Sequence, residues 1–194
     1  MRKIIFLIIF STFAFTGKEA FNETSVLIKP ESQLLIKGKT NVGNFECEYN
    51  ISEIDKPILL FYEVIDNKMV FKKAKLVLDN YCFDCGSRGI NKDFLELLKS
   101  DKHPEIELYL KEIQKSKINS SVINAILELH IVGKAKNYYI PITIDDTDDI
   151  CVSGILKLDI TDFGLEAPKK ALGLIEVSKY IEINFQLNLK ECEI

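Results

Sequence analysis

The chain has 194 residues, of which 47% are hydrophobic and 28% charged, with 25 Lys+Arg against 29 Asp+Glu, five Cys, two His and no Trp. This length and apolar fraction fit one folded domain and exclude a disordered or collagen-like chain. The slight acidity, with no local basic patch, argues against nucleic-acid binding, and His103 and His130, far apart, leave little material for a metal site or a His-driven catalytic centre.

Met1-Arg2-Lys3 is a short basic start, and Ile4 to Phe15 follows as an almost unbroken apolar stretch. That order is the order of a secretory signal peptide. The stretch falls short of the roughly 20 residues of a transmembrane helix, and no later segment approaches that length without charges. Residues 1–20 are therefore read as a leader, with cleavage open between Ala14 and Ala20, and residues 21–194 as one domain of a periplasmic or secreted protein. Loss of Arg2, Lys3, Lys18 and Glu19 leaves 22 basic against 28 acidic residues, a net of −6. Cys47, Cys82, Cys85, Cys151 and Cys192 would then meet an oxidising compartment, with at least one left unpaired in a monomer and the pairing open.

Along the exported chain the dominant signal is a period of two. Phe45, Cys47 and Tyr49 alternate first; Ile58 to Val64 is apolar on both faces, and Asp66-Asn67-Lys68 is a turn. Ala74, Leu76 and Leu78 form the next alternation. Cys82-Phe83-Asp84-Cys85 has the CxxC spacing of thiol oxidoreductases, yet Gly86-Ser87-Arg88-Gly89 separate it from any helical pattern, so a structural cystine or buried thiol is favoured over a redox pair. One segment has helical spacing: Asn91 to Lys99 places Phe94, Leu95 and Leu98 on one face, with Asn91 as N-cap and His103-Pro104 as a stop. Ile106, Leu108 and Leu110 resume the alternation. Ile123, Ala125, Leu127, Leu129 and Ile131 then oppose Asn124, Glu128 and outward-facing His130. Asp145-Asp146-Thr147-Asp148-Asp149 lacks the glycine and terminal Glu of an EF-hand loop and reads as a solvated hairpin turn. Leu156, Leu158 and Ile160 precede the cleanest strand, in which Ile181, Ile183, Phe185, Leu187 and Leu189 alternate with polar residues.

About eight antiparallel strands and one helix predict a single sandwich or barrel. A nucleophile elbow, a phosphate-cradling Gly loop and a HExxH pair are all absent from the sequence, so a binding protein is expected rather than an enzyme. Asn22-Glu23-Thr24, Asn50-Ile51-Ser52 and Asn119-Ser120-Ser121 match the N-glycosylation pattern but carry little weight in an Asn-rich chain. Alternation alone does not distinguish a hollow barrel from a packed one.

Several segments, in order, carry a family resemblance. Ser32 to Cys47, with Gly38-Lys39-Thr40-Asn41-Val42 and Phe45 inside it, is similar to an opening pair of strands; Asn91-Lys92-Asp93, Leu98-Lys99-Ser100 and His103-Pro104-Glu105-Ile106 are similar to a helix segment and strand start. Gly154, Ile160, Asp162-Phe163-Gly164-Leu165 and Pro168 match a closing motif. Together, over roughly residues 26 to 190, they resemble the YceI-like family of periplasmic, polyisoprenoid-binding, lipocalin-like β-barrels. His103 stands where that family usually has an aromatic, and residues 51–68 show little resemblance.

The resemblance implies an extended eight-stranded antiparallel lipocalin-like barrel with one short helix. Its apolar pore would hold a long isoprenoid lipid or quinone, with no cofactor or metal, for carriage, storage or envelope stress protection; a homodimer is one oligomeric state open to it. Phe45 and Phe163 lie in matching motifs, and strand or helix phase adds Leu76, Leu78, Phe94, Leu98, Ile106, Leu108, Leu127, Leu129, Ile131, Leu158, Ile183, Phe185 and Leu187 as pore-lining candidates. The helix is expected over the barrel mouth. A thiol redox protein using Cys82 and Cys85, and an envelope interaction module with a packed barrel, are the alternatives.

Overall fold

The structure, a computed structural model, describes residues 21–115, 123–145, 150–170 and 174–192. The leader, residues 146–149 of the acidic turn and the Asn119 glycosylation pattern lie outside the described residues. The strands are β1 (Asn22–Ile28), β2 (Gln33–Lys39), β3 (Asn44–Tyr49), β4 (Ile58–Ile65), β5 (Lys68–Lys73), β6 (Lys75–Asp79) and β7 (Phe83–Asp84), then helix α1 (Arg88–Leu97). After it come β8 (Glu105–Lys115), β9 (Ile123–Ile131), β10 (Lys134–Asp145), β11 (Ile150–Asp159), the short β12 (Lys169–Lys170) and β13 (Ile175–Glu176), and β14 (Tyr180–Cys192).

An antiparallel ring of eight strands closes in the order β1-β4-β5-β8-β9-β10-β11-β14, with β14 returning to β1. Closure removes the free edges that a sheet this wide would otherwise expose. One wall changes neighbours halfway along. The C-terminal part of β14 pairs with β1, from Leu189↔Ile28 to Cys192↔Ser25, and its N-terminal part pairs with β2, from Gln186↔Gln33 to Glu182↔Lys37. At the break, Lys29 N–H donates to the Asn188 carbonyl at 2.8 Å, Ser32 Oγ accepts from Asn188 N–H at 2.9 Å, and Asn188 Nδ2 donates to the Glu31 carbonyl at 3.1 Å. The backbone at Asn188 stays paired although the ladder is interrupted. The opposite wall breaks at Ala74: β5 pairs with one end of β8 and β6 with the other, and Leu110 N–H donates to the Ala74 carbonyl at 3.0 Å.

The two breaks divide the barrel into two storeys. In the upper one, at the β4–β5 turn, the walls include β1, β4 and β5. In the lower one β2 continues into β3 and β7, and no ladder joins β7 to β6 among the described residues. The Cys47–Cys85 disulfide ties β3 to the segment after β7. Tyr49 and Phe83 pack edge to face at 4.9 Å, and Phe83 meets Phe94 of α1 at 5.1 Å. Cys47, Leu129, Phe163 and Asn80 are the most deeply buried side chains here, and Asn80 Nδ2 donates to the His103 carbonyl at 2.8 Å and to Ser100 Oγ at 3.1 Å.

Two expectations change. The helix starts three residues before Asn91, because Ser87 is the N-cap and accepts from Ile90 N–H; Asn91 instead accepts from Cys85 N–H at 2.6 Å and donates to Asp84 Oδ1 at 3.1 Å. Its last turn closes at Lys99, whose positive φ of 52° lets Ser100 N–H reach the Leu95 carbonyl. The helix also closes the packed lower end rather than the mouth, with Phe94, Leu97 and Leu98 against the core.

The Cys47–Cys85 link closes a loop with a sequence separation of 38. Its reduction is expected to cost about 3–4 kcal/mol of unfolding free energy, read from urea unfolding with and without reductant; equal midpoints would show that the bond carries no such constraint. At the lower end, hydrogen bonds from Lys179 and then from the Thr161 hydroxyl and N–H hold the Asp159 carboxyl at about 2, below its ordinary value. A depressed folded-state value stabilises above the unfolded pKa of about 3.9 and loses that contribution as pH falls towards about 2. Asp159→Asn should therefore flatten the acid limb of a Tm-against-pH curve between those values; a limb identical to wild type would refute it.

Candidate functional site

An apolar cavity of about 210 Å³ occupies the upper storey. Val26, Ile28 and Leu34 supply one wall, and Ile58 and Leu60 of β4 supply the next. Leu108, Leu110 and Ile113 of β8, Ala125 and Leu127 of β9, and Ile140 and Ile142 of β10 form the far side. Val152, Leu156 and the inward row of β14 from Ile183 to Leu189 complete it, together with Ile51 and Ile54 at the 3-10 turn between β3 and β4. These residues point inward because the pleat turns alternate side chains to opposite faces.

Small residues create the space. Ala74 and Ala125 stand where larger side chains would fill it. Gly154, in inward phase on β11, lets the Phe185 ring lie across it, since a Cβ there would sit 2.7 Å from the ring. Gly38 is covered in the same way by Phe45 in the lower storey.

Lys75 is the one charged residue among the lining chains, and its head turns away from the cavity. Lys75 Nζ donates to Glu107 Oε1 at 2.7 Å and lies 5.4 Å from the Tyr109 ring centroid. That hydrogen bond raises the lysine's pKa and lowers the glutamate's, keeping both charged on the outer face. His130 is also on that face, with Nε2 2.8 Å from Glu128 Oε1 and its ring against Tyr109 at 4.8 Å. His103 packs over the β9–β10 turn at Gly133.

The pore-lining candidates divide by height. Leu76, Leu108, Leu127, Ile183, Phe185 and Leu187 line the cavity. Leu78, Leu98, Ile106, Leu129, Ile131 and Phe163 are buried in the packed lower storey, and Phe94 is partly buried against them. Phe45 and Leu158 border a separate hollow of about 680 Å³ whose rim carries Lys37, Lys157, Asp159, Asp162 and Glu182. A third hollow, of about 540 Å³, has Gln33, Thr143, Ser153, Asn184 and Gln186 on its walls. Both are larger than the apolar cavity, and unlike it they carry charged or polar side chains among their lining.

The lining that period-two reading passed over lies mainly on β1, β4 and β10. The row Tyr138-Ile140-Ile142-Ile144 carries the signal for β10, which Tyr139 and Pro141 on the other face obscure. Pro141 is tolerated because the ladder to β11 begins only at Ile142↔Gly154.

The cysteines bear on the redox alternative. Cys85 is bonded to Cys47, not to Cys82, and Cys82 is free together with Cys151 and Cys192. Burial pushes the Cys82 thiol up, and Asp79 and Glu53 add to the shift; an activated thiolate needs the opposite. Tyr49 beside it is pushed up to about 12, first by burial and then by Cys82. Among the described residues no group of three or more His, Cys, Asp and Glu is placed to hold a metal ion, and no helix is long and apolar enough to cross a membrane.

Solved structures share this fold at low identity. BcnA of Burkholderia cenocepacia aligns at a TM-score of 0.59 with 16% identity, covering 84% of this chain and 99% of its own. A polyisoprenoid binding domain from Saccharophagus degradans, implicated in plant cell wall breakdown, aligns at 0.59 with 12% identity, covering 87% and 98%. The YCEI protein of Campylobacter jejuni aligns at 0.50 with 17% identity, covering 64% and 74%. No curated protein matches the sequence significantly. The YceI-like domain matches residues 61–189, well over half of the chain, and with the eight-stranded ring described above this places the protein in the YceI-like family.

Proposed function

We propose that the protein is an exported lipid carrier or store, which holds the apolar chain of an isoprenoid lipid or quinone in the upper storey of its barrel. The observation that carries the reading is the cavity itself, about 210 Å³ of space walled by aliphatic side chains with the single lysine head turned outward. Such a wall offers nothing to a polar substrate and favours CH₂ groups at about 0.8 kcal/mol each. The polyisoprenoid binding domain from Saccharophagus degradans, which shares this fold, supports the isoprenoid class, and the basic, then apolar, leader supports export. Entry is from the end that carries the β4–β5 turn, where Val64 and Ile65 are 61% and 45% exposed. Val64 and Ile65 offer an apolar chain an exposed apolar contact at that end, beside the Asp66-Asn67-Lys68 turn.

Native mass spectrometry and lipid extraction of protein purified from its own host test this directly. Bound isoprenoid is expected; repeated absence of any lipid would overturn it. Ala125 is 3% exposed on the cavity wall, so Ala125→Phe places a ring in the ligand's space. Retained lipid should fall by about tenfold or more, since two displaced CH₂ groups already correspond to that factor. Undiminished lipid in a folded variant would place the ligand elsewhere.

A further inference from the structure

We infer that the outer face of the barrel across β10, β11, β14 and β2 is a second binding surface, separate from the cavity, and that it takes a neutral oligosaccharide. Register places four uncharged polar side chains in one row: Thr143 stands opposite Ser153, Ser153 opposite Gln186, and Gln186 opposite Gln33. The next row towards the lower storey holds Ile155, Asn184 and Leu35 in register, with Pro141 beside Ile155. These residues alternate along their strands with the inward ones, so both rows share the outward face. The hollow of about 540 Å³ lies over them.

The two rows carry no charge, in a chain of which 28% is charged. Charge returns at their borders. Asp145 follows Thr143 on β10, and in the row beneath Lys157 pairs with Glu182 at 3.2 Å and Lys37 with Glu46 at 3.0 Å. The outer face of β6, β8 and β9 is likewise laced with ion pairs, Lys75 with Glu107 and Lys111 with Glu128. An ion brought to the two rows would meet no counter-charge, so a matched ligand is uncharged. It is also polar. Among the described residues the side chains of Gln33, Thr143, Ser153 and Gln186 make no hydrogen bond, and Asn184 Oδ1 is buried without a partner. The broad last torsion of asparagine lets that oxygen turn to a donor entering the hollow. Amides and hydroxyls between them both donate and accept, as sugar hydroxyls do. Ile155, 50% exposed, and Tyr139, 77% exposed at the border of the hollow, offer apolar surface to the C–H face of a sugar ring. A lipid chain would leave the polar row unpaired, and a protein partner is met by surfaces richer in aromatic residues and arginine than this one. Four strands in register span about 14 Å, room for a short chain of sugar rings rather than a single one.

Titration of the isotope-labelled full chain, followed by NMR, tests the assignment with three probes: the β-1,4-linked hexamers of glucose and of N-acetylglucosamine, and the α-1,4-linked hexamer of glucose. At least one is expected to bind saturably in the millimolar range or tighter, with shifts centred on Gln33, Ile155, Asn184 and Gln186 and the cavity residues unmoved. Asn184→Ala and Gln186→Ala lie on the outer face, away from the core, and each should weaken binding about tenfold, the worth of one well-made hydrogen bond. Binding by none of the three probes, unchanged affinity in both folded variants, or shifts centred on another face overturns the inference. Self-association of the chain through these two rows in sedimentation, with no sugar bound, overturns it in favour of a second copy as the occupant. Lipid in the cavity is read separately, by extraction, so neither result bears on the function proposed above.

Discussion

A closed wall of strands has to keep every backbone N–H and carbonyl paired while the barrel changes its outline, and here that constraint falls on β14. This strand has 13 residues and serves two different neighbours along one edge, β1 and then β2. Where the neighbours change, Asn188 takes over the pairing with its own backbone and amide, reaching Lys29, Glu31 and Ser32. Without those bonds the break would leave polar groups unpaired on a barrel wall, at about 1–3 kcal/mol each. The break is what permits a ring of eight strands above and a helix-sealed, disulfide-tied plug below.

The two storeys then differ in side-chain size as well as in the strands that wall them. Inward positions of the upper storey include Ala74, Ala125 and Gly154; those of the lower storey include Tyr49, Phe83, Leu129 and Phe163. The Tyr49–Phe83 contact and the Cys47–Cys85 bond reinforce the short β3–β7 ladder, and Phe83 carries the packing on to Phe94 of α1. The same crowding sets the local electrostatics, since burial raises both the Tyr49 hydroxyl and the Cys82 thiol and so disfavours their charged forms.

Much of the fold was legible because a half-buried strand writes its phase into the sequence. β9 runs over Ile123–Ile131 with the inward row read from alternation, and β14 contains the whole alternating run from Ile181 to Leu189. β10 escaped because Pro141 and Tyr139 break the polar face, and the helix start escaped because Ser87 caps one turn earlier than the apolar pattern begins. The site was legible only in part for a different reason. Phase tells which face a side chain takes but not its height along the barrel, so Leu127 and Leu129 look alike in sequence although one lines the cavity and the other lies beneath it. Height is fixed by register with distant strands, such as Leu127 with Tyr138 and Leu110, and register is a long-range property.

The cavity carries an energetic argument of its own. At about 24 cal/mol per Å³, an apolar void of about 210 Å³ costs on the order of 5 kcal/mol relative to a filled core. That is comparable to the whole stability of many domains of this size, about 5–15 kcal/mol. A larger residue at Ala74 or Ala125 would fill part of the void, and in the lower storey, which shares β8 to β11 and β14 with the upper one, Leu78, Leu129 and Phe163 are closely buried. A chain whose hydrophobic residues so readily close one half of the barrel, and which keeps small residues in the other, trades stability for room. A bound apolar chain recovers that loss by supplying the missing contacts, so occupancy and folding stability are coupled, and the ligand acts as a removable piece of the core.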